Sequence, residues 1–208
     1  MRQLLTVGLT GGIACGKSIV SKLLLQKGAD IIDLDQVARE VVKPGKAAWS
    51  DIISVFGNNI VGKEGNIDRK KLGQVVFSDA GLREKLNKIT HERIINYVKK
   101  EKERFYANPN NQGRVLVIDA PLLIEAGMDK MVDKIIVIIC REEIQKERLI
   151  KRDRISDKEA EQRIKSQMPL SEKKCFADFI IDNSYLPENT RKQVDEIWNR
   201  LIKEMRNT

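Results

Sequence analysis

Eight residues, Gly11-Gly12-Ile13-Ala14-Cys15-Gly16-Lys17-Ser18, constrain this chain more than any other segment. They read G-x-x-x-x-G-K-S, between an apolar run at 4–10 and a helical pattern at 17–26. Strand, glycine-rich loop and helix in that order are the context a P-loop requires. Glycines let backbone N–H groups turn inward on the β- and γ-phosphates without Cβ clashes. The helix that starts near Gly16 adds its positive N-terminal dipole. Lys17 supplies a point charge to the phosphates, and the Ser18 hydroxyl is placed to ligate Mg²⁺. Cys15 leaves two readings open: a thiol with a lowered pKa near a helix N-terminus, hence a redox-sensitive nucleotide site, or a small residue that fits.

The rest of the chain predicts the scaffold around that loop. Continuous apolar runs recur at 4–10, 29–34, 115–119, 134–140 and 179–182. Runs without alternation are the signature of strands buried on both faces. Helical patterns lie between them at 17–26, 79–105, 141–153, 158–167 and 189–205. Gly28 is a plausible end for the first of these. Strands alternating with helices predict an α/β fold with a parallel sheet. The roughly 80 residues between the second and third runs are too many for one crossover, so a mostly helical insertion is expected there. A length of 208 residues fits one domain with such an appendage.

Composition removes other classes. The three cysteines (Cys15, Cys140, Cys175) are far apart, and His91 is the only histidine. A disulfide framework, a thiolate zinc site and a multi-histidine metal site are therefore not expected, and a reducing cytoplasm fits. The N-terminus lacks a signal-peptide cleavage site, and no apolar stretch approaches the length of a membrane span. The net charge of +8 favours anionic partners. Aromatic residues make up only 5%, and the basic residues are spread without a Lys/Arg block. Both facts argue against nucleic acid as the partner.

Three further features bear on what receives the phosphate. Asp33-Leu34-Asp35 ends the second run, so it is expected at the carboxyl edge of the sheet, where ligands gather. Asp33 there is either a base that orients an acceptor hydroxyl, a ligand to a Mg²⁺-bound water, or a helix cap. Asp35 is either a crevice carboxylate or the cap of a helix at 36–42. Asp119 ends the third run, where it either holds Mg²⁺ through water or caps the turn before Pro121. Arg148 and Arg152, four apart on one helical face, form either a phosphate-clamping lid or a solvated face. No N-K-x-D guanine motif is present.

Taken in order, these residues resemble the dephospho-CoA kinase family, P-loop kinases of coenzyme A biosynthesis. Gly8-Leu9-Thr10-Gly11-Gly12-Ile13 with Gly16-Lys17-Ser18 is similar to that family's G-L-T-G-G-I-G-S-G-K-S. Ile32-Asp33-Leu34-Asp35, Ala38-Arg39-Glu40-Val41-Val42 and Pro44-Gly45 resemble its I-D-A-D, A-R-x-V-V and P-G segments. Phe56-Gly57, Asp68-Arg69, Leu72, Phe77 and Leu86-Asn87 before His91 follow its central region. Pro121-Leu122-Leu123 with Glu125, then Gln145, Arg148, Arg152 and Asp153, look like P-L-L-x-E and Q-x-x-R-x-x-x-R-D. Gln167, Ala177-Asp178 and Ile181-Asp182-Asn183 match its close. Ala14-Cys15 stands where Gly-Ser is usual, Glu92 where proline is usual, and Tyr185 where a small residue is common.

The resemblance implies a three-layer P-loop kinase fold in a single domain spanning 1–208. Its core would be 1–35, 113–140 and 168–208, with a helical substrate-binding insertion at 36–112 and a short lid at 141–167. It implies ATP-dependent phosphorylation of the ribose 3′-hydroxyl of dephospho-CoA, giving coenzyme A and ADP, with Mg²⁺ as cofactor. Asp33 would be the catalytic base, with Lys17, Arg148 and Arg152 as the other catalytic residues. Gly11 through Ser18 and Asn183 would bind ATP. Asp33, Asp35, Arg39, Asp68, Arg69, His91, Leu122 and Glu125 would bind dephospho-CoA. Partners would be those two small molecules, in the cytoplasm, with neither nucleic acid nor membrane; the oligomeric state stays open, with a monomer favoured. Two other readings compete: a nucleoside or nucleotide kinase on the same scaffold, and a P-loop regulator or nucleic-acid-binding protein.

Overall fold

The structure is a computed structural model that describes residues 4–207. The side chains of Phe77, Ala80 and Asn207 lie outside the described part, as do Met1, Arg2, Gln3 and Thr208. The chain divides into two compact units, one formed by Met1–Ile32 with Phe105–Thr208 and the other by Asp33–Arg104.

The first unit is built on β1 (Leu5–Gly11), β3 (Val115–Asp119), β4 (Lys134–Ile139) and β5 (Phe179–Asp182). β2 (Asp30–Asp33) completes a five-stranded sheet of order β2-β3-β1-β4-β5. β1 runs parallel to both of its neighbours, and β4 runs parallel to β5. The continuous apolar runs have the predicted cause. Along β4, Ile136 and Ile138 face the core shared with α1 (Lys17–Gln26) and α9 (Pro187–Asn207), while Ile135 and Val137, which alternate with them, are also buried. Val20 and Leu24 of α1 and Val194, Ile197 and Leu201 of α9 close that core. Burying each such side chain stabilises the fold by about 1.5–3 kcal/mol. α1 stops where predicted. The Gly28 backbone lies at φ 96°, the left-handed conformation that ends a helix, and Ala29 N–H turns back to Leu24 O at 3.1 Å.

After β4 come α6 (Glu142–Asp153), α7 (Asp157–Lys165) and the short α8 (Leu170–Lys174). Arg154 in the left-handed region turns the chain out of α6. A reciprocal capping box between Ser156 and Glu159 starts α7.

The second unit contains α2 (Leu34–Glu40), α3 (Ala47–Phe56), α4 (Arg69–Ser78) and most of α5 (Ala80–Ala107). Ile52, Ile60 and Leu72 form its core, with Val42, Phe56 and Ile67 packed against them. Trp49 Nε1 donates to Gly65 O at 2.8 Å, and Arg93 pairs with Asp51 at 2.8 Å. The unit ends at Arg104, short of the expected 112, and its first helix starts two residues ahead of the expected 36. The reason is a cap: Asp33 Oδ1 accepts the backbone N–H groups of Asp35 (2.9 Å) and Gln36 (3.2 Å), so α2 begins at Leu34. Asp35 then lies inside the first turn instead of ahead of it. Among the described residues, no helix is long and apolar enough to cross a membrane.

Candidate nucleotide cradle and acceptor cavity

The glycine-rich loop leaves β1 at its carboxyl end and enters α1. Gly16 has φ 94°, and a Cβ placed on it would lie 2.0 Å from Asn183 Nδ2, so a side chain is excluded twice over. Ala14 adopts φ 59° although it carries a Cβ. That conformation costs an alanine roughly 1–2 kcal/mol relative to glycine. Ala14→Gly is therefore expected to raise the unfolding midpoint by about 2–8 °C, read by thermal unfolding without ligand.

Lys17 makes an ion pair with Asp119, at the carboxyl end of the adjacent strand β3. Both side chains are largely buried, so the pair holds the lysine ammonium beside the loop. Ser18, next in sequence, is exposed. Two glutamines fasten the loop. Gln145 Nε2 donates to Ile13 O at 2.9 Å, and Gln167 Oε1 accepts from Ile13 N–H at 2.9 Å. Asn183 is buried, and its Nδ2 donates to Cys15 O at 2.8 Å while its Oδ1 accepts from Thr190 Oγ1 at 2.7 Å. Gln145, Gln167 and Asn183 all belonged to the resemblance; their grip on the loop was not legible, because each bond spans more than 130 residues.

The two arginines behave differently. Arg148 Nη1 donates to Asn183 O at 3.0 Å, which ties α6 to the start of the segment before α9. Arg152 is exposed and forks onto Asp153 (2.7 and 3.2 Å), which also receives Arg163 at 2.7 Å. Arg152 and, more weakly, Arg163 hold the Asp153 carboxyl below its ordinary pKa. Leu122 is exposed. Glu125 pairs with Lys173 (2.9 Å) and accepts Met168 N–H at 3.2 Å. Lys173 is fully buried and also donates to Pro121 O at 2.8 Å. A lysine in a Glu-Lys-Lys run carries no sequence signal for burial, and the reading missed it.

Cys15 and Cys140 are free thiols whose sulfurs lie 3.0 Å apart. The hydrogen bond with Cys140, followed by burial, pushes the Cys15 pKa up, opposite to the expectation from the helix N-terminus. The same bond lowers that of Cys140, with the Arg148 cation assisting and burial opposing.

The second unit holds a cavity of ≈ 680 Å³. Its wall carries the cations Arg39, Lys43 and Arg69 and the carboxylate Asp35, over an apolar lining that includes Val42 and Leu72. Asp68 and His91 do not line it. Asp68 caps α4 by accepting Lys70 N–H (3.0 Å) and Lys71 N–H (3.1 Å), and His91 is exposed on α5. Among the apolar residues of this region, Val42 and Ile52 reach the cavity, whereas Trp49 is bonded to Gly65 and Phe56 packs on the core.

The sequence pattern of the family described as dephospho-CoA kinase matches residues 5–188. A dephospho-CoA kinase of Oceanobacillus iheyensis is 43% identical over 198 residues, covering 94% of this chain and 98% of the relative. The crystal structure of TT1252 from Thermus thermophilus is similar with a TM-score of 0.81 at 25% identity, over 96% of this chain and 99% of that one. The dephospho-CoA kinase from Campylobacter jejuni is similar with a TM-score of 0.74 at 27% identity, over 97% and 99%. A match that runs from β1 into the first turn of α9 includes the glycine-rich loop, the cavity of the second unit and the α6–α7 segment, and the chain belongs to the dephospho-CoA kinase family.

Proposed function

We propose that this protein transfers the γ-phosphoryl group of ATP to the ribose 3′-hydroxyl of dephospho-CoA, giving coenzyme A and ADP. The observation that carries the reading is the cavity of the second unit, where three cations stand over an apolar lining. Dephospho-CoA has a diphosphate for Arg39, Lys43 and Arg69 and an apolar-tolerant pantetheine arm for the lining. Asp35 completes the site within the second unit, where Asp68 acts through the start of α4 that it caps; His91, Leu122 and Glu125 are further residues that the resemblance assigns to dephospho-CoA.

The chemistry is a displacement at phosphorus. The 3′-oxygen forms a bond to the γ-phosphorus as the bond to the β,γ-bridging oxygen breaks, and the electron pair leaves with ADP. The acceptor proton passes to Asp33. Oδ1 of Asp33 is occupied by the α2 cap, which leaves Oδ2 for that proton. Because the transition state is loose, the carboxylate acts chiefly by orienting the hydroxyl. The backbone of Gly11 to Ser18 receives the phosphates, and Lys17 moves its charge from Asp119 towards the γ-phosphate. Arg148 and Arg152, on a lid at 141–167, neutralise charge on the transferring group. Asn183 braces the loop on the nucleotide side.

Mg²⁺ fits the donor set. The Ser18 hydroxyl and the Asp119 carboxylate are hard oxygen donors, and Mg²⁺ takes one or two of these with substrate phosphates and waters. When bound, it neutralises charge on the β- and γ-phosphate oxygens. Ser18 would ligate it directly and Asp119 through water. The reading places the enzyme in the cytoplasm as a monomer.

The test is ADP release from Mg·ATP with dephospho-CoA, AMP, CMP, deoxynucleosides, shikimate or no acceptor. Turnover with dephospho-CoA alone is expected. Turnover with another acceptor instead would keep the phosphotransfer chemistry and overturn the substrate. Folded protein that binds ATP but turns over none of them would overturn the reading.

A further inference from the structure

We propose that Cys15 and Cys140 form a dithiol modification site that hydrogen peroxide closes to a disulfide, and that this closure disables the phosphate cradle reversibly. Cys15 lies in the loop that receives the phosphates, and Cys140 lies just past the end of β4. The sulfurs are 3.0 Å apart, and a disulfide needs roughly 2.05 Å, so roughly 1 Å of approach completes the bond. The pair has a route to solvent. Cys140 lines a second cavity of ≈ 460 Å³ within the first unit, together with Gly12, Glu142, Gln145 and Gln167, and this admits a molecule as small as a peroxide. Cys15, within the loop, is fully buried and does not line that cavity, so the oxidant meets Cys140 first.

The order of events follows from that placement. The Cys140 thiolate attacks one peroxide oxygen, the O–O bond breaks, and the released hydroxide takes up a proton to leave as water. Cys140 is then a sulfenic acid. The Cys15 sulfur attacks the Cys140 sulfur, the S–S bond forms, the S–O bond breaks, and the second hydroxide leaves as water with the Cys15 proton. Two thiols lose two electrons and two protons, and one peroxide takes them up to become two waters.

The consequence for the cradle comes from how the loop is held. Ile13 is gripped through both its N–H and its carbonyl, and Cys15 O is gripped by Asn183. With these anchors in place, drawing the Cys15 sulfur towards Cys140 shifts the backbone between them. A displacement of the order of 1 Å at a catalytic group costs up to about 100-fold in rate.

The experiment uses the chain with Cys175→Ser, which removes the exposed thiol. Peroxide is expected to produce a Cys15–Cys140 cross-linked peptide and an intact mass lower by two hydrogens. Turnover of ATP with dephospho-CoA should fall by about tenfold or more and return with dithiothreitol. Adding Cys140→Ser, or Cys140→Ala if the serine variant unfolds, should leave reduced turnover in place and abolish both the cross-link and the reversible loss. The cross-link is read by mass whatever the acceptor, and the reduced sample shows separately whether dephospho-CoA is turned over. Absence of the cross-link under peroxide, or a cross-linked enzyme with unchanged turnover, would overturn the proposal.

Discussion

Lys17→Ala is expected to lower kcat/KM for ATP by about 10²- to 10³-fold or more, the cost of removing one preorganised donor from a developing negative charge. The expected loss has two separable parts. The first is in transition-state stabilisation, since the ammonium is held beside the loop by Asp119 at the end of the neighbouring strand. The second is in the resting protein. Asp119 is 4% exposed, and removing its cation lowers stability by up to about 3–5 kcal/mol, the range for breaking a buried pair. Steady-state kinetics at saturating dephospho-CoA measures the first, and thermal unfolding without ATP measures the second. Lys17→Ala combined with Asp119→Asn should recover part of the stability and none of the turnover. A Lys17→Ala enzyme with near-normal turnover would remove Lys17 from the γ-phosphate.

Asp33→Asn should reduce kcat by about 10²-fold or more, towards the range seen when a positioned base is lost. The substitution isolates the proton acceptor from the cap. Asparagine caps helices as well as aspartate does, so its side-chain oxygen can still accept the N–H groups of Asp35 and Gln36. The fold and the unfolding midpoint should therefore survive. Asp33→Ala, by contrast, removes both functions and costs about 1 kcal/mol of stability through the lost cap. Comparing the two variants by kcat and by thermal unfolding separates a catalytic carboxylate from a structural one. Near-normal turnover in Asp33→Asn would leave Asp33 with the cap alone.

Where the sequence reading succeeded, the information was local. The glycine-rich loop, the strand before it and helix α1 at Lys17–Gln26 are decided by residues within a few positions of one another. Backbone N–H groups need glycine to turn inward, and a buried parallel strand needs an unbroken apolar run. The same local logic misplaced the start of α2. Two aspartates stood two residues apart, both able to cap, and the extended backbone at Asp33 (φ −82°, ψ 108°) selected the first.

By itself, then, the sequence determined the α/β class, the phosphate cradle and the family, because each is written in the order and spacing of neighbouring residues. By resemblance it marked Arg39 and Arg69 as substrate-binding residues, and the structure sets both on the wall of one cavity with Lys43, which no pattern had marked. Only the tertiary structure decided what each polar side chain does once it is buried. Lys173 meets Glu125 across 48 residues, Gln145 and Gln167 close on Ile13, and Cys140 meets Cys15 across 125. A buried polar group must find a partner wherever the packed chain presents one. Such partners are chosen by the crossing of strands and helices, which is a property of the folded sheet and has no period along the chain.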